Sequence, residues 1–144
     1  MNKYLKEAIE QYEQRIESGE PFYMDASVLM DIEEYYEKEG KNYEAERLMR
    51  FAEKLHPDSE DVLVVKAYRL KTRGKWSEAL ALVKSIPNQL NRDVQLFYAE
   101  WDVASGRHKK AEERIASCLT TDASTTDYDW YLDFSSIHHF YILS

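Results

Sequence analysis

Apolar residues recur every three or four positions along most of this chain, which is the spacing of a helix with one buried face. Residues 3–17 show the pattern clearly, because their charged side chains lie away from a single apolar stripe. That stripe contains Leu5, Ala8, Ile9, Tyr12 and Ile16. With only 3 prolines and 4 glycines in the whole sequence, the pattern predicts an all-α protein with few flexible linkers.

Three of the glycines mark an internal repeat. Gly40, Gly74 and Gly106 are separated by 34 and then 32 residues. Five residues after them come Ala45, Ala79 and Ala111. Pro57 closes the first copy, and Pro87 closes the second early enough to shorten its last helix by about one turn. Since glycine suits the backbone just after a helix and proline stops the next helix, each copy predicts a helix, a tight turn and a second helix.

Two further features recur in the copies. Asp25, Asp61 and Asp93 stand ahead of the apolar runs, where aspartate is a candidate N-cap. Small residues are expected where the two antiparallel helices of a pair cross, because only small side chains let them approach closely. The predicted crossing pairs are Ala67 with Ala79 and Ala99 with Ala111.

With this spacing the chain resembles the tetratricopeptide repeat (TPR) family, whose repeats of ~34 residues are helix pairs with small residues at the crossing. Glu33 departs from the pattern, because alanine stands at the corresponding positions 67 and 99. The resemblance implies an all-α fold in the form of an α-α superhelix, a TPR-like solenoid of antiparallel helix pairs with about seven to eight helices.

The resemblance also predicts how a single TPR-like solenoid domain, residues 1–144, is organised. The predicted limits are 1–24 for an N-terminal capping helix and connection, 25–59 for repeat 1, 60–91 for repeat 2, 92–127 for repeat 3 and its loop, and 128–144 for the first helix of a partial fourth repeat.

The formal charge of −8 is distributed in blocks. Residues 1–60 carry −8, residues 61–119 carry +4 and residues 120–144 carry −4. A basic centre between acidic ends argues against a nucleic-acid or acidic-membrane surface, which needs a sustained positive stripe. The sequence therefore predicts no nucleic-acid partner and no membrane partner.

The start of the chain alternates charged and apolar residues, unlike a secretory signal, and no run approaches the ~18 apolar residues of a membrane span. These observations predict a soluble, cytoplasmic protein. Cys118 is the only cysteine, which excludes an internal disulfide and predicts a buried packing thiol.

Candidate chemistry is sparse. His138 and His139 are adjacent, so on a helix they point about 100° apart and do not chelate one ion together. A metal-dependent hydrolase built on these histidines with Asp129 and Asp133 is the weakest of three hypotheses. Phosphate-binding glycine loops, Gly-x-Ser-x-Gly and His-Glu-x-x-His are absent from the sequence. We therefore expect no catalytic residues, no cofactor and no metal.

The leading hypothesis follows from the resemblance, which implies that the first helices of the repeats line a concave groove for a peptide. The groove positions carried over from the family are Met30, Glu34, Glu37, Val64, Tyr68, Lys71, Leu96, Glu100 and Val103. This set is apolar with acidic edges, which suits an apolar peptide or an amphipathic helix with basic flanks. The expected function is a non-catalytic scaffold or adaptor that binds another protein or a peptide.

The second hypothesis concerns the C-terminal end, where a polar loop at 120–127 precedes an aromatic segment. The candidate self-association residues are Trp130, Tyr131, Phe134, Phe140 and Tyr141. A terminal helix with an uncovered apolar face predicts either an oligomerisation module that forms homo-oligomers or a fragment of a longer repeat protein.

Overall fold

The computed structural model describes residues 1–119, which form seven α-helices and no strand. The helices are α1 (Lys3–Ser18), α2 (Ala26–Lys38), α3 (Asn42–Leu55), α4 (Glu60–Thr72), α5 (Trp76–Lys84), α6 (Arg92–Ala104) and α7 (His108–Leu119). The all-α class is confirmed for this part of the chain. The eighth predicted helix, in 128–144, lies outside the described residues.

The chain divides into two compact units, unit 1 (residues 1–82) and unit 2 (residues 83–144), and the division falls within α5. The core of unit 1 joins apolar side chains from α1, α2, α3 and α4 in one cluster. Its members that are at most 3% exposed are Tyr12, Leu29, Ile32, Tyr36, Ala45, Leu48, Ala52 and Val62. The predicted limits of the domain and repeats stay predictions.

Unit 2 is built on the pairing of α6 with α7, whose shared cluster contains Ala99, Val103, Ala111 and Ile115. Ala99 and Ala111 are both fully buried, so the two small residues predicted at the crossing lie in the same core. In unit 1, Ala67 and Ala79 are likewise fully buried.

The three turns between paired helices share one hydrogen-bond pattern. After Gly40, the amide of Lys41 donates to the carbonyl oxygen of Tyr36 over 2.8 Å. The matching bonds are Lys75 to Leu70 at 2.8 Å and Arg107 to Asp102 at 2.7 Å. Each glycine has a positive φ, 70° to 82°, which is the left-handed conformation of a Schellman helix end. The three repeated glycines of the sequence therefore correspond to one turn geometry that occurs three times.

Gly74 allows a test of this geometry that is free of packing effects. A Cβ added there meets nothing within 4 Å, but the φ of +79° is one that L-residues avoid. Gly74→Ala is expected to lower the free energy of unfolding by about 1–2 kcal/mol, measured by urea denaturation. Gly74→Asn should cost less, since asparagine tolerates this conformation. Equal stability of the alanine variant and the parent chain would contradict the assignment.

The helix N-caps lie two residues earlier than predicted for α4 and α6. Ser59 caps α4 by accepting from the amide of Val62 at 3.4 Å, and Asn91 caps α6 by accepting from the amide of Asp93 at 2.8 Å. Asp61 and Asp93 are therefore not caps. They lie in the first turn, where a carboxylate still stabilises the positive end of the helix dipole.

The second pair ends in a short helix, since α5 has 9 residues and α3 has 14. Pro87 follows, and the side-chain amide of Gln89 donates to the carbonyl oxygens of Val83 at 2.9 Å and Ile86 at 2.6 Å. These bonds satisfy carbonyl groups that a longer helix would have paired itself. The shortening predicted from the early proline is confirmed.

The connection between α1 and α2 is held against the end of α3. His56, the C-cap of α3, bonds through Nε2 to the carbonyl oxygen of Met24 over 2.7 Å. Phe22 stacks on Phe51 with 4.7 Å between ring centroids. This segment therefore keeps α1 close to the first helix pair.

Candidate interaction surfaces

The structure places the predicted groove residues of unit 1 in three kinds of environment. Met30 and Val64 are both 7% exposed and belong to the interior. Glu34 is exposed and pairs with Lys38, the two side chains being 59% and 74% exposed and 3.3 Å apart. Tyr68 and Lys71 are half-buried, and the Lys71 ammonium lies 4.5 Å from the Tyr68 ring centroid.

In unit 2, Leu96 and Glu100 are half-buried and Val103 is buried at 4% exposure. Val103 belongs to the α6–α7 core. Three of the nine predicted positions, Met30, Val64 and Val103, therefore have little area to offer a ligand. The groove as a binding site stays a prediction.

The buried Glu33 and the half-buried Arg69 form an ion pair that the sequence did not predict. Arg69 Nε donates to Glu33 Oε2 at 2.8 Å and Arg69 Nη2 donates to Glu33 Oε1 at 2.7 Å, so the guanidinium binds both carboxylate oxygens. Glu33 is 1% exposed. This hydrogen bonding raises the pKa of the Arg69 guanidinium. The pair joins the first helices of two successive repeats, α2 and α4.

The ion pair extends to a polar network at the surface of unit 1. Glu37, one of the predicted groove residues, lies 3.6 Å from Arg69 and 3.3 Å from Arg73. These residues line a small recess of about 200 Å³ shared by α2, α3 and α4. The contacts that Glu37 makes are therefore structural, which distinguishes it from the exposed Glu34.

A larger cleft lies between α1 and α2, and sequence reasoning did not identify it. This N-terminal cleft has a volume of about 770 Å³. Apolar and tyrosine side chains make up part of its lining, among them Tyr4, Leu5, Ala8, Val28 and Tyr35. The signal available in the sequence was a second row of positions on α2, at 28, 31 and 35, about 100° around the helix from the core positions 29, 32 and 36.

The N-terminal cleft is electronegative. Four carboxylates line it, against the Lys38 ammonium and the amino terminus of Met1. The four are Glu7, Asp31, Glu34 and Glu39. Partial desolvation and then the neighbouring carboxylate of Glu34 raise the pKa of Asp31 above its usual range. Negative charge is therefore crowded in this part of the surface.

Unit 2 has its own buried carboxylate, Asp102, which is 2% exposed. It lies 3.2 Å from Arg107 Nε and 3.3 Å from Arg114 Nε. Arg114 also donates to Gln95 Oε1 at 3.1 Å. These contacts tie α6 to α7 and to the turn between them.

Several predictions concern reactive groups. Cys118 is half-buried, not fully buried, and desolvation raises the pKa of its thiol, which favours the unreactive protonated form. Within residues 1–119, no three His, Cys, Asp or Glu side chains converge in a way that could hold a metal ion. The histidine hypothesis rests on His138, His139, Asp129 and Asp133, which lie outside the described residues.

The self-association hypothesis also falls outside the described part of the chain. All five of its residues, Trp130, Tyr131, Phe134, Phe140 and Tyr141, come after residue 119. That hypothesis therefore stays a prediction from the sequence.

Comparison with protein-family models, with curated proteins and with solved structures finds no match. Through residue 119, no helix has the length and apolar character needed to cross a membrane.

Proposed function

We propose that this protein is a non-catalytic interaction scaffold of the tetratricopeptide repeat type, which binds a peptide or helix of another protein. The observation that carries the proposal is the threefold use of one helix–turn–helix geometry, with glycines 34 and 32 residues apart and the same hydrogen bond across each turn. Stacked helix pairs of this kind produce extended surfaces suited to peptide recognition.

A second observation supports stacking of the first two repeats. Val62 of α4 is 1% exposed and lies in the same cluster as Leu29 and Ile32 of α2. First helices therefore pack side by side in unit 1, which is the arrangement that places their outer positions along one face. The proposed contacts are the accessible predicted positions within each unit taken by itself, among them Tyr68 on α4 of unit 1 and Glu100 on α6 of unit 2.

Peptide display tests the proposal directly. Peptides selected on the full chain should lose at least about tenfold in affinity on Tyr68→Ala or Glu100→Lys, because aromatic anchors are among the few residues that carry most of an interface's binding energy and because a reversed charge replaces attraction by repulsion. Glu113→Lys on α7 is the matched control, since Glu113 is exposed and outside the predicted groove. Selected peptides that bind all three variants like the parent chain would refute groove recognition.

Solution mass separates the scaffold from the oligomerisation alternative. A scaffold should remain monomeric in light scattering over a wide concentration range. A dimer or larger species that becomes a folded monomer in Trp130→Glu/Phe134→Glu would instead favour the oligomerisation module.

A further inference from the structure

The N-terminal cleft lies beside positions of α2 whose counterparts on α4, one repeat later, contact other residues of unit 1. One repeat length of 34 residues relates Val28 on α2 to Val62 on α4, and Tyr35 on α2 to Arg69 on α4. On α4 both positions are engaged within unit 1, since Val62 is 1% exposed in the core that α4 shares with α2 and Arg69 is paired with Glu33 of α2. On α2 the equivalent positions line the cleft.

The position of α1 explains why this place is open. Tyr12 of α1 packs edge-on against Phe51 of α3, with 6.0 Å between ring centroids, so α1 lies beside the second helix of the first pair. It also packs on α2, where Tyr36 donates to Glu13 Oε1 at 2.7 Å. Helix α1 thus lies, relative to α2, where the second helix of a preceding repeat would lie. Across the described residues, no helix lies in the position beside Val28 and Tyr35 where the first helix of a preceding repeat would lie.

The length of the cleft matches one short helix. The stretch of α2 from Val28 to Lys38 covers about 15 Å at 1.5 Å per residue. A helix of about three turns is the length that would lie along it. Because its walls are joined by the Tyr36–Glu13 hydrogen bond and by the Tyr12 contacts, the cleft is already formed without an occupant.

The charge of the cleft indicates which charged side chains a bound helix would carry. Four carboxylates line the cleft against the Lys38 ammonium and the Met1 amino terminus, and Lys38 is already paired with Glu34 at 3.3 Å. An acidic helix would add repulsion, whereas lysine or arginine flanking an apolar stripe would meet Glu7, Asp31 and Glu39.

We infer that the N-terminal cleft binds a basic amphipathic helix of a partner protein, which completes the stack of first helices by lying beside α2 as α2 lies beside α4. This surface is distinct from the predicted groove, with which it shares only Glu34. The C-terminal segment 128–144 of a second copy is a poorer occupant, since it contains Asp129 and Asp133 and neither lysine nor arginine.

The test is a selection of displayed helical peptides of about 14 residues on the full-length chain, with each enriched peptide then titrated by fluorescence anisotropy. The expected ligands carry lysine or arginine beside an apolar i, i+3, i+4, i+7 stripe. Their affinity should fall at least about tenfold on Glu7→Lys/Asp31→Lys, and should weaken as salt rises from about 50 to about 300 mM.

The matched control is Glu10→Lys/Glu17→Lys, which likewise reverses two charges, at exposed positions of α1 outside the cleft. Affinity within about twofold of the parent chain is expected for it. Circular dichroism of each variant checks that the fold is retained, and Val28→Arg provides a second way to block the cleft if the charge reversals unfold the chain.

Three results would overturn the inference. The first is enrichment of no peptide, or of peptides without basic residues. The second is binding that is unchanged by both Glu7→Lys/Asp31→Lys and Val28→Arg, including peptides that respond only to Tyr68→Ala or Glu100→Lys, which would leave the proposed scaffold role standing. The third is tighter binding of a synthetic 128–144 peptide, which would make a second copy of this chain the occupant.

Discussion

Replacement of Arg69 by methionine is expected to lower the free energy of unfolding by about 3–5 kcal/mol, the usual cost of leaving a buried charge without its partner. Glu33 is 1% exposed, so its carboxylate cannot turn to water without local rearrangement. Methionine keeps the length of the arginine stem, so the loss reports mainly on the ion pair. Urea denaturation followed by circular dichroism measures it.

Two further variants make this prediction specific. Glu33→Ala/Arg69→Met should recover most of the stability, since no buried charge remains and alanine is fully buried at the corresponding positions Ala67 and Ala99. Lys38→Met, which breaks the exposed pair with Glu34, should change stability by no more than about 0.5 kcal/mol. Similar small losses for Arg69→Met and Lys38→Met would show that the Glu33–Arg69 pair is unimportant for folding.

Leu48→Ala is the second large effect, with an expected loss of about 2–5 kcal/mol. Leu48 of α3 is fully buried in the core of unit 1. Its neighbours along the same face of α3, Ala45 and Ala52, are too small to fill the space that would be left. Thermal and urea denaturation of the variant give the loss.

The same substitution at an exposed leucine is the control. Leu90 is 87% exposed, so Leu90→Ala removes the same atoms with almost no loss of buried area and should stay within about 0.5 kcal/mol of the parent chain. Equal losses at the two leucines would mean that Leu48 is not a core residue in solution.

The repeat was predictable because local sequence determines it. A left-handed turn after a helix needs glycine, so Gly40, Gly74 and Gly106 identified the three turns, and close packing needs small residues, so Ala99 and Ala111 identified the crossing in unit 2. These requirements act over a few residues and survive changes in the surroundings.

The N-caps of α4 and α6 were misplaced for a related reason, whereas Asp25 does stand at the N-cap position of α2. Aspartate is favoured both at the cap and in the first turn, so Asp61 and Asp93 fitted either position. Ser59 and Asn91 are equally good caps, and only the backbone geometry decides between them.

Features that depend on more than one helix were not predictable. The Glu33–Arg69 pair joins residues that are 36 apart, and its only signal was a glutamate where alanine was expected. Met30 and Val64 were assigned to an open groove, yet both are buried, because a first helix that packs on neighbours at two sides keeps only a narrow accessible strip. The N-terminal cleft depends on where α1 packs. The sequence identified α1 as a helix but did not indicate which face of α2 it would leave uncovered.

The buried carboxylates also limit how far the repeats can be rearranged. Asp102 pairs with Arg107 and Arg114, which belong to the same helix pair, α6 and α7. The counter-ions of Asp102 would therefore move together with it. Glu33 depends on Arg69 from the following pair. Deletion of residues 60–91, or a tandem copy of the first pair in their place, would remove Arg69, the arginine that binds both carboxylate oxygens of Glu33. The Glu33–Arg69 contact therefore fixes the order of the first two helix pairs. A rearrangement of these pairs in the gene would have to change Glu33 and Arg69 together.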